Sequence, residues 1–398
     1  MPIARAVKDA LAGSSLIRKL FEEGSELKKI HGAEKVFDFS IGNPDIDPPP
    51  AFHRALNALA AEDEKGSHGY MNNAGFPEVR AALAEKASRE QECMIPAENI
   101  IMSAGAAGAL NVIFKSILNP GDEVIVPKPY FMEYRSYAAN HGGKIVEVPT
   151  REDFGLDCEK IENALGPKTR AVLINSPHNP TGRVYSKADL AGLGAALNRW
   201  GKRTGVYPFL VADEPYREIV YDGVKVPSVL NAYNESMAAT SFSKSFSLPG
   251  ERIGYITVSP LISGAGDVLA ALIYATRVLG FVNAPALMQR VVARLTNERA
   301  AVDVYAARRA AFKKVLDGAS IQYAEPEGAF YLFARVPAPG GDDRAFSDCL
   351  KKRLVLGVPG SAFGAPGWIR FAYCVDEKVI AASAEAFKAA AGEWRAKR

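Results

Sequence analysis

Cysteine is scarce and scattered: Cys93, Cys158, Cys349 and Cys374 form no C-x-x-C pair. A disulfide scaffold and a cysteine-based zinc site are both excluded, and reduced thiols in the cytoplasm are expected. Histidine is no richer, and His31, His53, His68, His141 and His178 show no ligand spacing, so no metal is expected. No run approaches the ~18 apolar residues of a membrane span. Lys8 and Asp9 occupy the place where a secretory signal needs its apolar core. Charge of one sign is lacking as well. With 48 Lys and Arg against 45 Asp and Glu, the net charge of +3 leaves no footprint for nucleic acid or a membrane surface.

What remains is ordinary globular composition, 48% hydrophobic and 23% charged, over 398 residues. That length supports a substantial core and about two domains. Apolar residues at helical spacing predict an N-terminal arm over 3–12 and 14–30, then a strand at Val36–Ile41 and a helix near 51–62. A helix is expected from Pro77 to about Arg89, with proline in its first turn. From residue 100 a β–α rhythm sets in. Apolar runs at 100–102, 123–126, 143–148, 169–174 and 207–212 are continuous rather than alternating, which predicts strands buried on both faces. The expected architecture is therefore a mostly parallel central sheet covered by helices.

After about Phe281 the pattern changes. A long helix over roughly 285–318, an alternating segment at 328–333, a strand at 368–373 and a closing helix over 377–396 predict a smaller α+β domain. The division expected is 1–45 for the arm and part of the small domain, 46–280 for the large domain and 281–398 for the small one.

Polar residues collect where the predicted strands end, which is where an open α/β sheet keeps its ligand. Ser103-Ala-Gly-Ala-Ala-Gly-Ala-Leu110 joins a strand to a helix through tiny residues. Such a turn suits an anion on free backbone N–H groups, or simply close helix–strand packing. Asn179 and Asp213 end two further strands. Most unusual is Ser241-Phe-Ser-Lys-Ser-Phe-Ser-Leu-Pro-Gly-Glu-Arg-Ile-Gly-Tyr255, with Lys244 among hydroxyls and Arg252 eight residues on. A nucleophilic lysine needs a dry site and a nearby cation to shed its proton. Arg252 supplies that cation or grips a phosphate, and Arg370, among Trp368, Ile369 and Phe371, has the fork for a carboxylate.

Taken together these motifs resemble the class I/II pyridoxal-phosphate aminotransferases of fold type I. The resemblance runs from about Phe37 to the C-terminus. It rests on Gly42, Tyr70-x-x-x-x-Gly75, Ser103–Leu110, Asn179-Pro-Thr-Gly182, Asp213-x-x-Tyr216, Ser241-x-x-Lys244, Gly250-Glu-Arg-Ile-Gly254 and Pro359-Gly-x-x-Phe-Gly364 before Arg370.

It implies Lys244 as the Schiff-base lysine and Asp213 as the partner of the pyridine nitrogen. Asn179 and Tyr216 would face the ring hydroxyl, and Phe131 would stack on the ring. Ser241, Arg252 and the backbone of Gly105, Ala106 and Ala107 would hold the phosphate, with Ser243 a further cofactor-binding residue. A homodimer is implied, with Tyr70 completing the neighbouring site. Gly42, Asn179 and Arg370 would bind the substrate carboxylate. The implied reaction moves an amino group between an α-amino acid and a 2-oxo acid.

Two positions depart from the pattern. Ala106-Ala107 offers no hydroxyl to the phosphate. Where aspartate-specific members carry a side-chain arginine, Val278 and Phe281 stand here with Arg277 one place away, and Phe281 and Val282 suit an apolar or aromatic side chain. Other readings weighed are a lyase or decarboxylase on the same fold, a non-catalytic binder, and a nucleotide-binding oxidoreductase resting on the small-residue turn alone. The intact set Lys244, Asp213 and Arg370 argues against the binder, which has no use for an imine-forming amine.

Overall fold

The computed structural model describes residues 3–4, 7–8, 15–62, 65–337 and 341–396. The helix expected over 3–12 falls largely outside them, while the next one is formed over Ser15–His31. The strands, in chain order, begin with β1 (Phe37–Asp38), β2 (Ile100–Ser103), β3 (Glu123–Lys128), β4 (Lys144–Pro149) and β5 (Thr169–Asn175). Then come β6 (Phe209–Asp213), β7 (Ser236–Ser241) and β8 (Gly254–Val258). The last are β9 (Tyr323–Ala324), β10 (Tyr331–Arg335), β11 (Val355–Leu356), β12 (Val358–Pro359) and β13 (Trp368–Ala372).

Seven strands form the central sheet in the order β2-β8-β7-β6-β5-β3-β4. Successive residues of one strand serve opposite faces of the sheet. Val124 and Val126 join Leu173, Val211, Ile256 and the helix Gly105–Ile117 on one side. Ile125 joins Val172, Ile174 and Leu210 on the other, against Leu193 and Leu197 of the helix Lys187–Thr204. Both faces being covered, period-2 alternation vanishes from the sequence and a continuous apolar run is left. Each such Val, Leu or Ile contributes about 1.5–3 kcal/mol by leaving water.

The sheet is parallel except at β8, which runs antiparallel between β2 and β7. Gly254 is thereby opposite Ser103 on one side and Ser241 on the other. The connection 242–253 turns back at the end where β5, β6 and β7 also stop, so Ser103, Asn175, Asp213 and Ser241 share one edge. Lys244 and Arg252 both lie in that connection.

A second core holds a four-stranded antiparallel sheet, β12-β13-β10-β9, and the parallel pair β1–β11. Its centre is aromatic, with Phe39 4.6 Å from Phe312 and Phe371 5.2 Å from Phe387 between ring centroids. Only Phe37–Asp38 of the expected strand 36–41 is extended pairing structure.

Three expectations need correction here. The long helix over 285–318 is two, Ala286–Ala293 and Val302–Gly318. Between them Leu295 is fully buried and the Thr296 carbonyl accepts from Arg89 (3.1 Å), contacts that hold the chain in a turn. The closing helix is also two, Glu377–Ala382 and Ala384–Ala396. At the joint the buried Ser383 hydroxyl donates to the Ile380 carbonyl (2.7 Å), a side-chain competitor of the helical ladder. Strand β10 starts later than the segment expected at 328–333, and it is buried at four successive positions rather than alternately.

Candidate active site

Lys244 is set by the aromatic residues around it. Ser241, extended at φ −154°, leads into the single turn Phe242–Ser245, whose Phe242 stacks on Phe246 (5.5 Å) in the core. From this anchored turn the Lys244 ammonium donates to the Gly42 carbonyl at 2.7 Å and lies 5.7 Å from the Phe330 ring. Burial pulls its pKa down to about 8; Arg370 and Arg252 push the same way, while Cys374 opposes them. The shift runs in the direction a nucleophile needs: at neutrality a minority of this amine is unprotonated, far more than of an ordinary lysine.

Asp213 ends β6 and is 7% exposed. Its Oδ2 accepts from the Tyr134 hydroxyl at 2.6 Å, and its backbone carbonyl accepts from Asn175 Nδ2 at 2.7 Å. Oδ1 is buried and, among the described residues, has no hydrogen-bond partner. Burial raises the carboxyl to about 7 against the pull of the Tyr134 bond, and the Glu214 charge adds to the rise. Tyr216, two residues beyond Glu214, shares a 2.7 Å hydrogen bond with the Tyr331 hydroxyl.

The turn of tiny residues and Arg252 meet. Gly105 opens the helix Gly105–Ile117 at φ +74°, and a Cβ there would come within 2.7 Å of Arg252 Nη2. The guanidinium is held by the Pro249 carbonyl (2.8 Å) and reaches the Ala104 carbonyl (3.4 Å). Arg252 itself sits at φ +50°, a left-handed conformation costing on the order of 1 kcal/mol in a non-glycine residue. At Gly254 a Cβ would stand 2.4 Å from the Thr240 carbonyl, so only glycine lets β8 approach β7 this closely. The first-turn N–H groups at Gly105, Ala106 and Ala107 have no partner within the helix, and together with Arg252 they make a cationic cradle.

Arg370, on β13, reaches across the boundary between the two cores. Its Nη1 donates to Asn179 Oδ1 (3.0 Å) and its Nη2 to the Ser40 carbonyl (2.7 Å). The guanidinium lies between the rings of Tyr331 (4.6 Å) and Phe363 (4.8 Å), and its buried Nε has no partner among the described residues. Asn179 is fixed in turn by its backbone N–H on Asn175 Oδ1 (2.7 Å). At Gly42 a Cβ would stand 2.1 Å from the Tyr331 hydroxyl.

Lys244, Gly42, Asn179, Arg370, Asp213, Tyr216 and the 105–107 turn with Arg252 are thus gathered at one strand-end region. Ser241 and Ser243 are buried beside Lys244 in sequence, and Phe131 is half-buried with its ring edge-on to Tyr134 at 5.6 Å. Tyr70 stands apart, 94% exposed. Arg277 is on an exposed helix face over Tyr274 (5.6 Å), whereas Phe281 packs near Gly108 of the helix start. Two residues escaped the sequence reading, Tyr134 and Tyr331. Tyr331 sits in an apolar run where a tyrosine reads as core, Tyr134 sits among several tyrosines with nothing local to single it out, and only the partner across the fold reveals each polar role.

Residues 34–387 match the profile of the family described as aminotransferase class I and II. The chain belongs to the class I and II aminotransferases. Members of that family depend on pyridoxal phosphate. This aminotransferase is 33% identical over 362 residues to a probable aspartate/prephenate aminotransferase of Aquifex aeolicus, covering 86% of this chain and 88% of that one. It is 32% identical over 378 residues to aromatic-amino-acid aminotransferase 2 of Thermococcus litoralis, covering 91% and 92%. Among solved structures, an amino transferase from Eubacterium rectale superposes with a TM-score of 0.94 at 37% identity, covering 99% of each chain. Among the described residues no helix is long and apolar enough to cross a membrane.

Proposed function

We propose that this aminotransferase exchanges an amino group between an α-amino acid and a 2-oxo acid, with pyridoxal phosphate carried covalently on the Lys244 ε-amine. The observation that carries the reading is Asp213: a buried carboxylate with one oxygen bound by Tyr134 and the other without a partner among the described residues. A protonated ring nitrogen is a donor that suits such an oxygen, and its positive charge would offset the burial that now raises the carboxyl. The cradle at Gly105 and Arg252 suits a phosphate for the same reason of charge. When bound, the cofactor supplies an electron-withdrawing ring that stabilises negative charge at the substrate α-carbon.

The remaining work falls to the chain. Asp213 keeps the ring nitrogen protonated. Arg252, Ser241 and the N–H groups of Gly105, Ala106 and Ala107 hold the phosphate, Ser243 lies on the cofactor side with them, and Phe131 covers the ring. Asn179 and Tyr216 face the ring oxygen. Arg370 receives the substrate carboxylate through two parallel N–H donors, with Asn179 and the Gly42 backbone beside it. Lys244 Nζ, about half unprotonated near pH 8, would take the proton from the substrate α-carbon and deliver it to the cofactor's aldehyde carbon on the other side of the shared nitrogen. Residues 46–280 provide the cofactor side, and 281–398 with the segment up to 45 provide the carboxylate side. A homodimer brings Tyr70 of one protomer to the site of the other, and the scattered thiols support the cytoplasm as its compartment.

The test is reconstitution of the purified protein with pyridoxal phosphate, followed by an amino acid. A near-visible band should form on reconstitution and bleach on addition of substrate. Borohydride treatment and peptide mapping should place the label on Lys244. Label on Lys202 or Lys225 instead would sink the assignment.

A further inference from the structure

Tyr134 lies on the seven-residue helix Glu133–Ala139, and its hydroxyl donates to Asp213 Oδ2 at 2.6 Å with both groups buried. The other carboxylate oxygen, also buried, has no partner among the described residues, and the Asp213 carbonyl is already engaged by Asn175. The ring of Tyr134 cannot swing away: Tyr130 stacks parallel to it at 6.3 Å and 9°, and Phe131 meets it edge-on at 5.6 Å. Tyr130 is itself held, accepting from Arg135 Nε (2.5 Å) and donating to Glu147 (2.7 Å).

We propose that Tyr134 is a positioning residue for the cofactor: its hydroxyl fixes one oxygen of Asp213, so that the other is presented to the ring nitrogen. The proposal rests on the assignment of Asp213 above. A carboxylate with both oxygens free would rotate about its Cβ–Cγ bond and spread its charge over two directions. With Oδ2 pinned, the carboxylate plane is fixed and Oδ1 alone is left for the cofactor. The same hydrogen bond favours the ionised carboxylate, which a buried acid otherwise resists. The titratable groups facing Asp213 are Tyr134, Tyr137, Tyr216 and Glu214. Of these only Tyr134 hydrogen-bonds the carboxylate among the described residues.

The experiment uses the apoprotein and the variants Tyr134→Phe, Asp213→Asn and their combination. Two quantities are read: the dissociation constant of pyridoxal phosphate, and the titration of the Asp213 carboxyl by 13C NMR, identified by its loss in Asp213→Asn. Tyr134→Phe is expected to weaken cofactor binding by about tenfold or more and to move the carboxyl titration to higher pH. In the Asp213→Asn background the same substitution should have no further effect on affinity. An equal loss in both backgrounds, or an unmoved titration, overturns the proposal and makes Tyr134 a packing residue. If Asp213→Asn alone leaves cofactor affinity unchanged, the assignment of Asp213 fails, and the proposal falls with it.

Discussion

The Lys244 ammonium donates to the carbonyl oxygen of Gly42, a residue 202 positions earlier in the chain, at 2.7 Å. Gly42 follows β1 and leans on Tyr331 of the second core, whereas Lys244 follows β7 of the central sheet. The amine is therefore tied to both halves of the molecule.

The first prediction concerns the amine itself. Lys244→Ala should fold, carry no covalent cofactor and lose turnover. Its apoprotein should also lose a pH dependence. The lysine pKa is about 8 when folded against an ordinary 10.5, so between those values the unfolded chain binds more protons and stability rises with pH. The gain is at most ~1.4 kcal/mol per pH unit. Urea unfolding of both apoproteins between pH 8 and 10.5 checks it, and equal slopes would refute it.

Asp213 predicts the opposite sign. Its carboxyl titrates at about 7 when folded against an ordinary 3.8, so the folded apoprotein binds more protons and loses stability as pH rises from about 4 to 7. Asp213→Asn removes that penalty. At pH 8 its apoprotein should be more stable by roughly 1–3 kcal/mol, discounting the cost of a buried amide. Thermal unfolding at pH 5 and pH 8 gives the comparison, in which the advantage of the variant should shrink at the lower pH.

Arg370→Lys keeps the charge but loses the fork. We expect kcat/KM for amino acids to fall about 10²-fold or more, with cofactor content unchanged. Amines of matching side chain that lack the carboxylate should be little affected. Equal losses for both substrate types would make Arg370 structural.

Gly105→Ala places a Cβ 2.7 Å from Arg252 Nη2 at a backbone angle of +74°. The guanidinium must move, so the dissociation constant of pyridoxal phosphate should rise about tenfold or more, with loss of roughly 1 kcal/mol of stability. At saturating cofactor the KM for the amino acid should be close to wild type. A variant that binds cofactor normally removes Gly105 from the phosphate site.

Tyr70 tests assembly. Mixing Tyr70→Phe protomers with Lys244→Ala protomers should recover activity, because one hybrid site regains both groups. Absence of recovery, with subunit exchange confirmed, would assign Tyr70 to its own protomer's site or to none.

Much of this was legible in the sequence, for a physical reason. Groups that act through the backbone or at a strand end leave a local mark: the tiny residues at 103–110, the lysine among serines, the arginine eight residues later. Buried strands leave continuous apolar runs, and β3, β5 and β6 were visible as such. What was hidden depends on partners distant in sequence. Tyr134 reads as one more aromatic until Asp213 stands 2.6 Å away, and Tyr331 is silent without Tyr216. The breaks at 294–301 and at Ser383 were missed because helical periodicity continues through both; a tertiary contact to Arg89 marks the first, and a local side-chain bond from Ser383 to the Ile380 carbonyl marks the second.

The pairing of β1 with β11 has a consequence for the order in which the enzyme is made. The central sheet is complete once residue 258 has left the ribosome, and it can form while synthesis continues. Phe37–Asp38 has no strand partner until Val355–Leu356 emerges, and the Ser40 carbonyl waits still longer for Arg370. The segment bearing Gly42 is thus among the first to be synthesised and the last to be fixed. Closing so distant a contact is slow. A nascent chain arrested before residue 355 would carry Lys244, Asp213 and the Gly105–Arg252 cradle on a formed sheet, yet lack Arg370.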